Sequence, residues 1–204
     1  MSPPDATAAA PATAVTLPAD AMIVVPTRNM VLFPEIVLPL TVGRASSVAA
    51  IQQAVREQRQ VVLVLQRDPE NNEPKPDDLH RTGTVANVLR YVTTPEGGHH
   101  LVCQGVQRFR ISDFVEGQPF LMARGLHIAE PTDTGSEVEA RFLVLKGQVR
   151  EVFDLLPQVP PEFRQTIEAT TSPSLLADLA AQLALDEVAE GLADLIISGS
   201  DPQL

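Results

Sequence analysis

The stretch VPTRNMVLFPEIVLPLTVGR, from Val25 to Arg44, decides how the front of this 204-residue chain folds. It carries few charges, and Pro34 and Pro39 interrupt its apolar residues. Proline cannot donate a backbone hydrogen bond, so sheets tolerate it only at edges, strand starts and bulges. We therefore expect this stretch to follow a sheet edge or a bulge and to end at Gly43. Some of its apolar side chains are expected in the core and others near the surface.

The composition is that of a globular protein without a membrane span. Hydrophobic residues make up 44% of the chain, which is enough for a packed core. The longest apolar runs fall well short of the ~20 residues that a spanning helix needs. The single cysteine, Cys103, excludes an internal disulfide and is typical of a reducing compartment. Its expected role is that of a small buried hydrophobe in a strand.

The net charge of −11 is concentrated in the second half of the chain. Residues 126–204 contain 14 acidic and 4 basic side chains, whereas residues 21–125 contain 10 acidic and 11 basic ones. Because nucleic-acid affinity depends mainly on clustered basic residues, this distribution argues against a nucleic-acid partner. The acidic half is expected to be solvated helical surface.

Residues 1–20 and 21–128 differ sharply in pattern. The first segment is rich in alanine, proline and threonine and is predicted to be a disordered tail. The second is predicted to be a β-domain of about six short strands and one helix, arranged as a small barrel or folded sheet. VVLVL at Val61–Leu65 indicates a central strand buried on both faces, and TPEGG indicates a hairpin. The other predicted elements are strands at Met22–Pro26, Gly83–Val92, His99–Gln104, Val106–Ile111 and Phe120–Ile128, and a helix over about Ala45–Arg59.

Residues 129–204 are predicted to form a helical bundle. Their apolar residues recur at helical spacing and form one stripe along a first helix. A second helix is expected from Pro161 to about Ala169, and Ser172-Pro173 signals the start of a third. Ser200-Asp201-Pro202 has the same form as Ser172-Pro173, so we expect the natural chain to continue. The stripe residues of the first helix are Val138, Phe142, Leu145, Val149, Val152 and Leu156. The buried face of the third is predicted at Leu176, Leu179 and Leu183, and another helix after Asp186 is marked by Val188, Leu192 and Leu195.

No catalytic, cofactor-binding or metal-binding residue is predicted. The sequence has neither a phosphate-binding G-x-x-x-x-G-K-[ST] loop nor a G-x-S-x-G nucleophile turn. His99, His100 and Cys103 suggest a metal site. However, positions 99 and 103 of a strand lie ~13 Å apart, far beyond metal–ligand distances. Arg108 and Arg110 could offer a basic face to an acidic ligand, but we favour the solvent face of a strand whose Phe109 points inward.

The order of these motifs resembles the N-terminal domain of Lon, the ATP-dependent AAA+ serine protease. VPTRNMVLFPEIVLPLTVGR fits the opening pattern of that family, with Thr27 in place of its usual leucine. GTVANV at 83–88, VCQGVQR at 102–108, PPE at 160–162 and LADLAAQL at 176–183 fit later motifs. The likeness covers roughly Ile23 to the end of the chain.

The resemblance implies a fold and a function. It implies an α+β protein, with a PUA-like β pseudo-barrel that carries one short helix and a C-terminal helical bundle. It implies a domain that recognises unfolded or degron-bearing proteins for a hexameric protease, in cytoplasmic protein quality control. The AAA+ and protease modules of a longer parent chain would supply ATP hydrolysis and peptide cleavage, so this chain alone is expected not to be an enzyme.

Several alternatives stay open at this stage. The chain could be a free-standing Lon-domain adaptor without protease modules, and an RNA-binding module is disfavoured by the charge. No cofactor, nucleic acid or membrane is expected as a partner. The residues expected to contact clients lie in the opening stretch: Val31, Leu32, Phe33, Pro34 and Ile36.

Overall fold

The computed structural model describes residues 17–95, 97–130, 135–155 and 161–182. Strands in these ranges are β1 (Met22–Thr27), β2 (Val37–Val42), β3 (Val61–Leu65), β4 (Thr82–Thr93), β5 (His99–Val115) and β6 (Met122–Ile128). The helices are α1 (Ala45–Glu57), α2 (Ser136–Leu155), α3 (Pro161–Ala169) and a further helix, α4, over residues 173–182. A short 3-10 helix occupies Pro76–Asp78. The mixed α+β class predicted from the sequence is confirmed.

The strands form one sheet, in which all except β2 close into a ring. Their order is β2-β5-β4-β3-β1-β6, and β6 also pairs with β5. The sequence predicts separate strands at His99–Gln104 and Val106–Ile111, and this prediction is wrong. β5 runs through Gly105 because it pairs with β4 along most of its length and changes only its other partner, from β2 to β6.

β3 is the central strand that its sequence predicts. It pairs in parallel with β1 and antiparallel with β4. Val61 and Leu63 belong to one apolar cluster, whereas Val62 and Val64 belong to a second cluster on the opposite face of the sheet. Alternate residues of a strand point to opposite faces, so an all-apolar strand suits a sheet that is covered on both sides.

β2 lies at the edge of the sheet, in agreement with the prolines of the opening stretch. It is paired with β5 alone. Leu40 and Val42 point into the barrel core, whereas Pro39 is exposed and Val37 is 47% exposed. An edge position suits Pro39 because β2 has no second neighbouring strand to which a backbone N–H would have to donate a hydrogen bond.

Gly105 brings the opening stretch against the barrel. Its N–H donates to the Ile36 carbonyl, and its own carbonyl accepts from the N–H of Glu35, both at 2.9 Å. A Cβ at this position would lie 2.1 Å from the Phe33 carbonyl oxygen. Only a glycine therefore allows residues 33–36 to lie this close to β5.

Helices α2, α3 and α4 share an apolar cluster of their own. Its buried members include Val149, Phe153 and Ile167, and Ile36 of the opening stretch packs against it. Val138 of the predicted stripe on α2 is 38% exposed. The stripe is also wrong at Val152, which is 41% exposed, whereas the larger Phe153 is buried instead. Both positions lie one turn beyond Val149, so the spacing alone does not choose between them. The predicted positions Leu156, Leu183, Val188, Leu192, Leu195 and Ser200–Pro202 lie outside the described residues.

Ion pairs join the helical part to the barrel. Arg108 on β5 donates to the carboxylates of Glu130 and Asp178, and Asp178 is buried on α4. Burial raises the pKa of Asp178, and the positive charge of Arg108 only partly opposes that rise. The predicted inward position of Phe109 is confirmed, but the solvent-face prediction holds for Arg110 and not for Arg108, which α4 partly covers.

The barrel also holds residues assigned to the tail. Leu17 is buried in the barrel cluster, and Asp20 forms an ion pair with Arg124. Hydrogen-bond donation from Arg124 lowers the pKa of Asp20. Leu17 and Asp20 therefore pack with the barrel, although the sequence assigns them to the tail. Residues 1–16 lie outside the described part.

Candidate functional site

The structure separates the five predicted client-contact residues into two groups. Leu32 is only 2% exposed in the barrel core, and Pro34 is also buried. Their side chains cannot contact a client in this structure, which corrects the prediction for these two. Val31, Phe33 and Ile36 are half-buried and remain available in part.

A large groove lies beside the opening stretch, and we call it the β1–α1 groove. Its volume is about 1700 Å³, and its walls come from residues 24–31, 40–47, 72–77 and 114–121, with one contribution from α4. Val31 is the member of the predicted five that lines it. Met30, Val31 and Leu121 give its wall a half-buried apolar part.

Arg44 fixes the polar end of the β1–α1 groove. It caps the start of α1 with extended backbone angles, φ −76° and ψ 133°. Its Nη2 donates to Gln66 Oε1 at 2.5 Å and to the Asn71 carbonyl at 3.2 Å, and its Nη1 to the Pro26 carbonyl at 3.4 Å. These hydrogen bonds join β1, β3 and the following loop through Arg44. All the acceptors are neutral, so none of them compensates its positive charge.

A second arginine lies close to the first. Arg28 Nη2 donates to Asn72 Oδ1 at 2.5 Å, next to the Asn71 carbonyl that binds Arg44. Desolvation by burial lowers the pKa of Arg44, and the positive charge of Arg28 lowers it further. The two guanidinium groups thus repel each other at one end of the groove.

Three buried polar atoms of the groove lack a hydrogen-bond partner among the described residues. They are Arg44 Nε, Ser47 Oγ and Gln118 Oε1. Ser47 as a whole is only 4% exposed. Buried polar groups are nearly always paired in folded proteins, so a group of unpaired ones in one groove needs an explanation.

The other sequence candidates show no sign of chemistry. Cys103 is fully buried, and burial raises the pKa of its thiol to about 12. His99 stacks on Tyr91 and shares a 2.7 Å hydrogen bond with its hydroxyl, and His100 shares one of 3.2 Å with Thr41. Within the described ranges, no three His, Cys, Asp or Glu residues are grouped so that they could hold a metal ion. No helix in those ranges has both the length and the apolar composition to span a membrane.

Comparison with known proteins now identifies the family. A family model described as the ATP-dependent protease La (LON) substrate-binding domain matches residues 21–189. The chain belongs to this family. It is 55% identical over 167 residues to the Lon protease of Phenylobacterium zucineum, and this match covers 81% of the chain and 21% of that protein. It is 47% identical over 162 residues to the Lon protease of Methylocella silvestris, covering 79% of the chain and 20% of that protein.

The fold agrees with that of a solved Lon domain. The N-terminal domain of Mycobacterium avium complex Lon protease superposes with a TM-score of 0.60 at 21% identity, over 90% of this chain and 100% of that one. This likeness supports the fold only. The present chain spans about a fifth of the length of the curated Lon proteases that it matches.

The Lon motifs found in the sequence tie the opening stretch to the barrel. Thr84, in the motif at 83–88, donates through Oγ1 to the Leu32 carbonyl at 2.5 Å. Gly105, in the motif at 102–108, accommodates the Phe33 carbonyl, and Arg108 at its end binds Asp178. Arg44, the last residue of the opening motif, donates a hydrogen bond to Gln66. These residues therefore have structural roles that the motif pattern alone does not reveal.

Proposed function

We propose that this chain recognises unfolded or degron-bearing proteins for a Lon-type ATP-dependent protease. The observation that carries the proposal is the match of residues 21–189 to the Lon substrate-binding domain. The remaining AAA+ and protease modules would lie in a longer parent chain that assembles as a hexamer and acts in cytoplasmic protein quality control. The same proposal includes two structural points. The barrel is related to PUA-like folds, and the helical bundle is completed beyond residue 182.

Half-buried apolar residues of the opening stretch are the proposed client contacts. Val31 lines the β1–α1 groove, and Phe33 follows two positions later, where its carbonyl approaches Gly105 closely. Exposed apolar surface is what a client-binding protein needs and what a simple monomer avoids. Ile36 is a weaker candidate because it packs against the helical cluster.

The test is binding of the purified chain to a labelled protein held unfolded, beside the same protein folded. We expect selective binding to the unfolded form, and we expect Val31→Asp and Phe33→Asp to weaken it about tenfold. Leu126→Asp is the matched control, because Leu126 is 68% exposed on β6 and outside the groove. Thermal unfolding of each variant establishes that it is folded.

Three results would contradict this proposal in different ways. Equal binding of folded and unfolded protein would remove the client specificity. Equal weakening by Leu126→Asp would move the contact away from the opening stretch. Binding to single-stranded RNA alone would replace the client hypothesis altogether.

A free-standing adaptor is the alternative function. It requires the same client binding but no downstream protease. A transcript whose reading frame ends near residue 204 would favour the adaptor, and one that continues into an AAA+ module would exclude it.

A further inference from the structure

We propose that the β1–α1 groove binds a carboxylate group of a client polypeptide, held at the start of α1 by Arg28 and Arg44. The proposal rests on the proposed function for the identity of the ligand. It names a chemical class, an acidic side chain next to apolar residues, that this groove selects.

The first support is the set of unpaired polar atoms in the groove. Arg44 Nε and Ser47 Oγ are hydrogen-bond donors, and both belong to the start of α1. A buried donor without an acceptor costs about 1–3 kcal/mol, which a bound ligand can recover.

The second support is a pair of positive charges that form no ion pair with the described residues. No carboxylate of the described residues forms an ion pair with Arg28 or Arg44, whereas Arg108, Arg124 and Arg150 all have such partners. Arg44 donates only to neutral oxygens. A partly desolvated cation is stabilised when an anion is placed beside it, and the planar guanidinium group matches the two oxygens of a carboxylate.

The third support is the uncapped start of α1. Arg44 is its cap residue but provides no side-chain hydrogen bond to the first turn, which contains no acidic residue. The first helical bond of the 13-residue helix runs from Val48 N–H to the Arg44 carbonyl at 2.9 Å. The N–H groups of residues 45–47 are therefore left without a helical acceptor, and the helix dipole favours an anion there.

The remaining walls favour a single carboxylate over a polyanion. Glu73, Asp77 and Glu116 also line the groove, so a phosphodiester backbone passing through it would meet negative charge. Met30 and Val31 lie on the same walls and provide apolar contacts for residues beside the carboxylate. A peptide with one acidic group among apolar residues fits this combination.

The decisive experiment compares two short labelled peptides that are identical except for one glutamate replaced by glutamine. The full 204-residue chain is expected to bind the glutamate peptide about tenfold more tightly, with a preference that falls as salt rises. Arg28→Gln should remove most of this preference, because Arg28 is exposed and, among the described residues, its head group is bound to Asn72 alone. Arg110→Gln, an exposed arginine outside the groove, should leave it unchanged.

A second readout does not depend on client binding. Titration with acetate, followed by NMR of the amide groups, should shift the N–H signals of residues 45–47, whereas acetamide should not. Shifts that appear in the wild type and vanish in Arg28→Gln support the anion site even if neither peptide binds, and that result would refute the proposed client binding instead.

The opposite outcomes overturn the inference. Equal affinity for the two peptides refutes carboxylate selection and leaves general client binding intact. Absence of both peptide preference and acetate shifts refutes the site. The labelled glutamate peptide can also be displaced by competitors. If an oligonucleotide displaced it more effectively than the unlabelled glutamate peptide does, the groove would be assigned to phosphate.

Discussion

Gly105→Ala tests how firmly the opening stretch is fixed to the barrel. The added Cβ would lie 2.1 Å from the Phe33 carbonyl oxygen and 2.8 Å from its carbonyl carbon. Both contacts are shorter than a real Cβ makes, and both involve backbone, so residues 33–36 or β5 must move. The two backbone hydrogen bonds that Gly105 makes with Glu35 and Ile36 would then be lost or distorted.

The expected loss of stability follows from these contacts. Two hydrogen bonds contribute about 1 kcal/mol each, and forced displacement in a packed region costs about 1–3 kcal/mol. The free energy of unfolding should therefore fall by roughly 3–5 kcal/mol. For a domain of this size, that corresponds to a melting temperature lower by about 6–20 °C.

Equilibrium denaturation and calorimetry measure the effect, and Gly43→Ala is the matched control. A Cβ at Gly43 would meet nothing within 4 Å, and its backbone is not in the left-handed region. This variant should be neutral or more stable by up to about 1 kcal/mol. A Gly105→Ala protein within about 0.5 kcal/mol of the wild type would refute the close approach as the anchor of the stretch.

Three further predictions concern the barrel and α2. Arg108→Ala should lower the free energy of unfolding by about 3 kcal/mol, because it leaves the buried Asp178 without its cation; equal denaturation curves for Arg108→Ala and the exposed Arg110→Ala would contradict this. The Cys103 thiol, whose pKa burial raises to about 12, should resist a thiol reagent at mildly alkaline pH until denaturant is added; rapid reaction of the folded protein would show an accessible thiolate. Gly147→Ala in α2, where a Cβ meets nothing within 4 Å, should stabilise the protein by about 0.5–1 kcal/mol in urea denaturation; a loss would reveal packing at that position.

Local patterns were sufficient for the elements that depend on local physics. The VVLVL run has the predicted bounds Val61–Leu65, because five apolar residues rich in β-branching favour a strand covered on both faces. Helix α1 follows from its apolar spacing and ends at Glu57, where Gln58 adopts a left-handed conformation. These signals are complete within one segment of the chain.

Prediction failed where distant segments decide the outcome. Gly105 suggests a break between two strands, since glycine weakens strands, but the structure uses it for contact with residues 33–36. Residues 31–34 are all apolar, so the sequence has no alternation that marks Leu32 and Pro34 as the inward-facing pair, although burial alternates along them in the structure. Nothing local connects Arg44 with Gln118, because the groove between them exists only after the ring of strands has closed.

The apolar, proline-broken opening stretch has a mainly structural explanation. Leu32 and Leu40 belong to the barrel core, and Ile36 packs against both the barrel and the helical cluster. The prolines are compatible with a path that leaves β1, crosses Gly105 and returns as an edge strand. That path leaves little apolar surface free, so a ligand of the groove must be recognised partly by polar groups.

Arg28 and Arg44 attach both ends of the opening stretch to the same loop. Arg28 lies near its beginning and Arg44 at its end, and they bind the consecutive residues Asn72 and Asn71 of one loop. The loop thus fixes both ends of the segment that carries Val31. An anion that draws Arg28 and Arg44 together reduces their repulsion and steadies that segment at the same time. Charge recognition and apolar contact in the β1–α1 groove are therefore expected to be coupled rather than independent.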